Sequence, residues 1–240
     1  MHDPAPEPYR RPDLLRLSYD DYRALPAIAN SDLSRLRDAL NGRVNTRLPS
    51  THAAASLGTA FHTALLEPTL YEPGLPGIND TLIWWMVEGV RLHEDLQELL
   101  TNGIAEPSCV FTEPVTGTMC KLRADLVVDG GPGNYTIIDF KTTAARDYSH
   151  FVSQCYGYDY DRQAAFYTDA LQADRFLLVG VQKLEPFHVF TVEVTPQMLT
   201  EGRAKYQRLL AMLKPEANLP PYLSEVVREV VNGFGQSAEE

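Results

Sequence analysis

The chain has 240 residues, 44% of them apolar, and a formal net charge of −11. That length predicts one domain with a substantial core, and no apolar run approaches the roughly 18 residues that a membrane span needs. The acidic balance excludes broad, sequence-independent adhesion to nucleic acid, and Met1 to Pro8 lacks the basic start and apolar stretch of a secretion signal, so a cytoplasmic protein is expected.

Residues 1–16 carry Pro4, Pro6, Pro8 and Pro12 among charges and read as a flexible arm. Ser18 to Tyr22 predicts a short capped helix. Asn30 to Leu40 predicts a second, with Leu33, Leu36 and Leu40 on one stripe and an Asn or Ser cap. A third spans Ala53 to Glu67, a Pro/Gly-rich loop covers 71–80, and Thr81 to Leu100 is again helical in pattern. The character then changes. Pro107–Glu113, Met119–Val128 and Tyr135–Lys141 read as a three-strand meander, Asp161–Ala173 as a helix, and Phe176–Val181 and Phe187–Val194 as two further strands. Pro196 opens a long helix to Leu213, Tyr222–Val231 reads as a last helix, and 232–240 as a flexible tail. The order predicts a mixed α/β domain with a helical preface.

Three residues carry most of the chemistry. Asp139 and Lys141 are two apart on a predicted strand and therefore share a face. Asp125 ends the preceding strand, across the turn-rich Asp129–Asn134 link, and can meet them. Ile137, Ile138 and Phe140 make the strand apolar, and a charge there must be paired or metal-bound. Two carboxylates and an ammonium at a strand end suit a hard divalent cation and an activated water, which is apparatus for cutting phosphodiester bonds.

Other residues read less specifically. Cys109, Cys120 and Cys155 are scattered, are expected to be reduced buried thiols, and cannot supply the four thiolates of an iron–sulphur cluster. Arg35, Arg37, Arg43 and Arg47, and later Arg203, Lys205, Arg208 and Lys214, form basic clusters that fit either solvated helix faces or phosphate contact. Tyr156, Tyr158 and Tyr160 alternate, which fits either strand-like packing or stacking on frayed bases. Trp84 and Trp85 read as core. Glu88, Glu94, Asp95 and Glu98 read as solvated, and Glu113, a strand-end acid, is not counted among the ligands.

The runs Arg123-Ala124-Asp125 and Ile138-Asp139-Phe140-Lys141-Thr142-Thr143, with Gln163 and Tyr167 four apart on a helix, together resemble the PD-(D/E)xK nuclease superfamily. Within it the chain is most similar to RecE-type exonucleases (exodeoxyribonuclease VIII) and their phage-borne relatives. Gly58-Thr59-Ala60-Phe61-His62 resembles the upstream helix whose histidine joins the metal site in that group, and Ala27 to Leu33 resembles the domain's opening. Ala124 stands where the superfamily pattern has proline, a residue that shapes the strand end and is not a ligand.

The resemblance implies a restriction-endonuclease-like core, a central mixed sheet flanked by helices. A single nuclease domain would span 17–231: a preface at 17–105 that includes His62, a catalytic core at 106–215 and a C-terminal helix at 216–231. By this resemblance Asp125, Asp139, the Phe140 carbonyl and His62 would hold Mg²⁺ or Mn²⁺. Lys141 would orient and help deprotonate the attacking water, and Gln163 and Tyr167 would position the water, Lys141 or the scissile phosphate. The implied activity is 5′-to-3′ degradation of one strand of linear duplex DNA, leaving 3′ tails for a single-strand annealing protein. The implied assembly is a ring-shaped homo-oligomer in a bacterial or phage-infected cell. A structure-specific or restriction-type endonuclease, or a non-catalytic DNA- or partner-binding module, are the alternatives on the same fold.

Overall fold

The computed structural model describes residues 12–42, 52–132 and 134–214, with Ser224, Val227 and Arg228 beyond them. Most of the expected N-terminal arm, Arg43 and Arg47, most of the expected last helix and the tail lie outside the described residues. The arm's described end is tied down: Leu15 and Ser108 exchange backbone hydrogen bonds of 2.7 and 2.9 Å.

Helices α1 (Tyr19–Ala24), α2 (Asn30–Leu40), α3 (His52–Leu66), α4 (Asp80–Arg91) and α5 (Glu94–Asn102) precede all the strands. The strands are β1 (Ile104–Ala105), β2 (Ser108–Thr112), β3 (Met119–Arg123), β4 (Leu126–Asp129), β5 (Tyr135–Thr143), β6 (Arg175–Gln182) and β7 (Val189–Glu193). Helices α6 (Tyr148–Gly157) and α7 (Tyr160–Leu171) join β5 to β6, and α8 (Pro196–Met212) follows β7.

Five strands form a mixed sheet in the order β1-β4-β5-β6-β7, with only β5 and β6 parallel. Two helices make the crossover that a parallel pair demands. Strand β5 is buried on both faces, and its alternation assigns them. Ile138 and Phe140 pack with Phe61 and Leu65 of α3 and with Met86 and Val90 of α4. Ile137 packs in the opposite layer, with Phe151 of α6, Phe166 of α7 and Leu210 of α8. Asp139 and Lys141 share the parity of Ile137, so they belong to the α6–α7 face. This is the expected mixed sheet flanked by helices.

Several local expectations change. The continuous strand expected over 119–128 is broken at Ala124 and Asp125. The β3 half pairs with β2 in a separate hairpin, and the β4 half enters the main sheet. The Ala124 amide donates to the Pro107 carbonyl at 3.0 Å, a bond that proline at this position could not make. The 81–100 segment is two helices, α4 and α5, separated at Leu92 and His93. The strand-like reading of Tyr156, Tyr158 and Tyr160 gives way to two helices: Tyr156 lies in α6, Tyr158 just past its end and Tyr160 at the start of α7, and Asp147 caps α6 by accepting from the His150 amide at 2.8 Å. At α2 the cap is Ala29, whose amide is held by Asp32 at 2.9 Å. Asn30 instead accepts from the buried guanidinium of Arg162, as does Ser34 one turn on.

Trp84 and Trp85 are not core. They are 53% and 48% exposed, and Trp85 stacks on Phe187. Close approaches fix the layer over the site. A side chain on Gly180 would come within 2.5 Å of Phe151, and one on Gly202 would collide with the Asp161 carbonyl, so α6 lies tight on β6 and α8 on α7. All three cysteines are free and buried, as expected. Among the described residues no helix is long and apolar enough to cross a membrane.

Candidate active site

The break between β3 and β4 presents Asp125 at the margin of the sheet. Its Oδ2 accepts from the Phe140 amide at 2.7 Å, which couples it to the strand that carries Asp139 and Lys141. Its Oδ1 faces His62 Nδ1 of α3 at 3.5 Å. Tyr167 of α7 donates to the Arg123 carbonyl at 3.1 Å and so secures the residue that enters the break. That places the Tyr167 hydroxyl on the backbone leading to Asp125, a supporting contact. Burial raises its pKa well above the usual tyrosine value, so it remains an O–H donor.

Asp139, 1% exposed, sits at the centre. Its Oδ2 is 2.7 Å from Lys141 Nζ, and its Oδ1 accepts from Gln163 Nε2 at 2.7 Å. Gln163 Oε1 in turn accepts from Lys141 Nζ at 3.1 Å. Asp139, Lys141 and Gln163 thus close a ring of contacts, with the Tyr160 ring 4.9 Å from the Lys141 ammonium.

The electrostatics follow from this crowding. Burial, reinforced by the Asp125 charge, pushes the Asp139 carboxyl up to about 6 in spite of Lys141. Burial alone would lower the Lys141 pKa, but Asp139 and Asp125 outweigh it and hold the pKa above the usual lysine value. In this arrangement Lys141 is a positive charge and a hydrogen-bond donor. Burial also opposes the charged forms of His62 and Asp125. Their mutual attraction wins, raising the histidine and lowering the aspartate.

A further acid joins the site. Ligand atoms of His62, Glu106 and Asp125 all lie within 4.8 Å of one another. Glu106 sits at φ 52 just before β2, its amide donates to the Asp125 carbonyl at 2.9 Å, and its carboxylate is held by Arg123 at 2.7 Å. Burial and the nearby Asp125 raise its pKa. A left-handed glutamate is uncommon, and nothing in the local pattern marks it. Only the neighbouring Pro107, as a strand start, signals its place. One imidazole and two carboxylates at this spacing fit a divalent cation. Asp139 stands beside this trio, its Oδ1 hydrogen-bonded to Gln163 and its buried Oδ2 close to the Lys141 ammonium but accepting no hydrogen bond among the described residues. Glu113 lies elsewhere, holding Thr116 in the β2–β3 turn.

The basic clusters are divided: Arg35, Arg208 and Lys214 are exposed, and the other described members are paired within the chain. Arg37 and Lys205 pair with Asp159, Lys205 also with Asp161, and Arg203 with Asp169.

Residues 81–218 match the model of a family described as "PDDEXK-like domain of unknown function (DUF3799)", and the chain belongs to that family. Its fold is similar to the crystal structure of a Eubacterium rectale protein described as "Putative exonuclease". The TM-score is 0.57 at 16% identity, over 92% of this chain and 88% of that one. The solved structure of SSO0001 aligns at a TM-score of 0.39 and 16% identity over 86% of each chain, too low a score to bear on the fold. No curated protein sequence matches the chain. The fold is therefore that of a PDDEXK nuclease-like protein, with an acidic and histidine site suited to a divalent metal.

Proposed function

We propose that the protein is a metal-dependent deoxyribonuclease that degrades one strand of linear duplex DNA from an end. The observation that carries this reading is the His62–Glu106–Asp125 trio lying beside the Asp139–Lys141–Gln163 ring. Mg²⁺ or Mn²⁺ would be held by His62, Asp125, Glu106 and the Phe140 carbonyl, with Asp139 alongside. When bound, such an ion supplies positive charge to the phosphoryl oxygens and acidifies a water. The chain's own groups do the rest. Lys141, kept as an ammonium, donates to a non-bridging phosphate oxygen and offsets the charge that grows there. Gln163 fixes Lys141 and Asp139 against each other, and Tyr167 steadies the backbone that delivers Asp125.

End dependence, 5′-to-3′ polarity, 3′ tails passed to a single-strand annealing protein and a ring-shaped homo-oligomer complete the proposal. They are supported by the motif resemblance and by an acidic chain whose grip on DNA would gain from encirclement. The test is digestion of end-labelled linear duplex beside the same duplex closed into a circle, with Mg²⁺ or Mn²⁺. The linear form should shorten from its 5′ ends, the circle should stay intact, and EDTA should stop the reaction. Cutting of the circle would replace this reading with an endonuclease. No cutting of either form would leave a binding module.

A further inference from the structure

We infer that Tyr158 and Tyr160 form a stacking platform for an unpaired nucleobase next to the reacting phosphate, so that the site takes a frayed or single-stranded end. This rests on the nuclease reading and adds the state of the strand that enters.

Residues two apart on a continuous helix do not face each other. Here the two rings do meet, with centroids 5.7 Å apart and planes tilted by 35°. The cause is the link between α6 and α7. Tyr158 ends α6, Asp159 takes a left-handed conformation at φ 57, and Tyr160 begins α7. That conformation is uncommon for a residue with a side chain, and it is pinned. Asp159 accepts from Arg37 at 2.8 Å and from Lys205 at 2.9 Å. The turn is held by bonds to α2 and α8, so the platform is set before any ligand arrives.

The rings lead away from the chemistry in two short steps. Tyr160, partly buried, has the Lys141 ammonium 4.9 Å from its centroid. Tyr158 packs against Tyr160 and is 59% exposed. The two rings already touch, so a base would lie on the free face of Tyr158 and not between them. An aromatic face accepts any base, and stacking of this kind strengthens binding by about five- to hundredfold per base. The neighbouring ammonium selects the occupant: a flat aromatic group attached to a phosphate is a nucleotide. Inside a duplex both faces of a base are covered, and at its end a paired base exposes one face but cannot swing away from its partner, so the unpaired base is the one free to reach the platform.

The test is a single-stranded oligodeoxynucleotide carrying 2-aminopurine at each of its first three positions in turn, titrated with the full chain in EDTA so that no cutting occurs. The parent should bind and quench the fluorescence at one of these positions. Tyr158→Ala should bind about tenfold more weakly and lose the quench, and Tyr158→Trp should keep both. Equal binding and quenching by Tyr158→Ala and the parent would overturn the inference, as would a parent that gives no quench at any position. Digestion with Mn²⁺ tests the nuclease reading separately. A parent that stacks but does not cut sinks that reading alone. One that cuts while Tyr158→Ala binds and quenches unchanged sinks the platform alone.

Discussion

Gln163 donates from Nε2 to Asp139 Oδ1 over 2.7 Å, and the same amide's oxygen accepts from Lys141. One side chain therefore needs both a donor and an acceptor, and only an amide of this length provides them. Gln163→Glu keeps the length but removes the donor and places a carboxylate against a buried carboxylate. Turnover on linear duplex should fall about 10²-fold, and the like-charge contact should also lower the melting temperature. Full activity in Gln163→Glu would remove the residue from the site.

Lys141→Met keeps the apolar stem and deletes the ammonium. About 10³-fold of activity should be lost. Asp139 should remain tolerated in the fold, because losing Lys141 raises its already elevated pKa further and lets the carboxyl take up a proton. Digestion rates and circular dichroism check the two halves. An active Lys141→Met protein would mean that another group carries the charge.

Glu106→Gln tests an acid that the motif does not contain. The change keeps the size and the contact with Arg123 but removes a negative ligand. Mn²⁺ binding, followed by electron paramagnetic resonance of the free ion, should weaken about tenfold or more. Unchanged affinity would limit the metal site to His62, Asp125 and their other neighbours.

Asp159→Asn should reveal a pH-dependent part of the stability. Burial would raise the Asp159 pKa, but hydrogen bonds from Arg37 and Lys205 outweigh it and hold the group below the usual carboxylate range. A depressed folded-state pKa contributes stability above the unfolded value of about 3.9 and loses it as pH falls through the folded value. At pH 7 the variant should be less stable by about 2 kcal/mol. The gap to the parent should close below about pH 4. Asn also accepts the left-handed backbone, so the comparison isolates the charge. Urea melts at pH 7, 5 and 3 give the answer, and a gap that stays constant would contradict it.

The parts legible in the sequence were those with a local period. The apolar run around Asp139 marked β5, Pro196 marked the start of α8, and the leucine stripe marked α2. What was not legible depends on partners far along the chain. Alternating tyrosines imitate a strand, yet Asp147 starts a helix there. Asp159 finds Arg37 and Lys205 only in three dimensions. Glu106 owes its place to a positive φ and to the separation of β3 from β4, which no window of residues around 119–128 announces. Trp84 and Trp85 look like core because their size is visible in a sequence and their exposure is not.

The site draws on both sides of the sheet: His62 from the layer of α3 and α4, Gln163 from the layer of α6 and α7, and Asp125 from the seam between two strand systems. No fragment that ends before α7 holds the whole set. On the proposed reading, a chain still being synthesised would cut nothing until α7 had docked, and a genetic screen for cutting would double as a screen for completed folding.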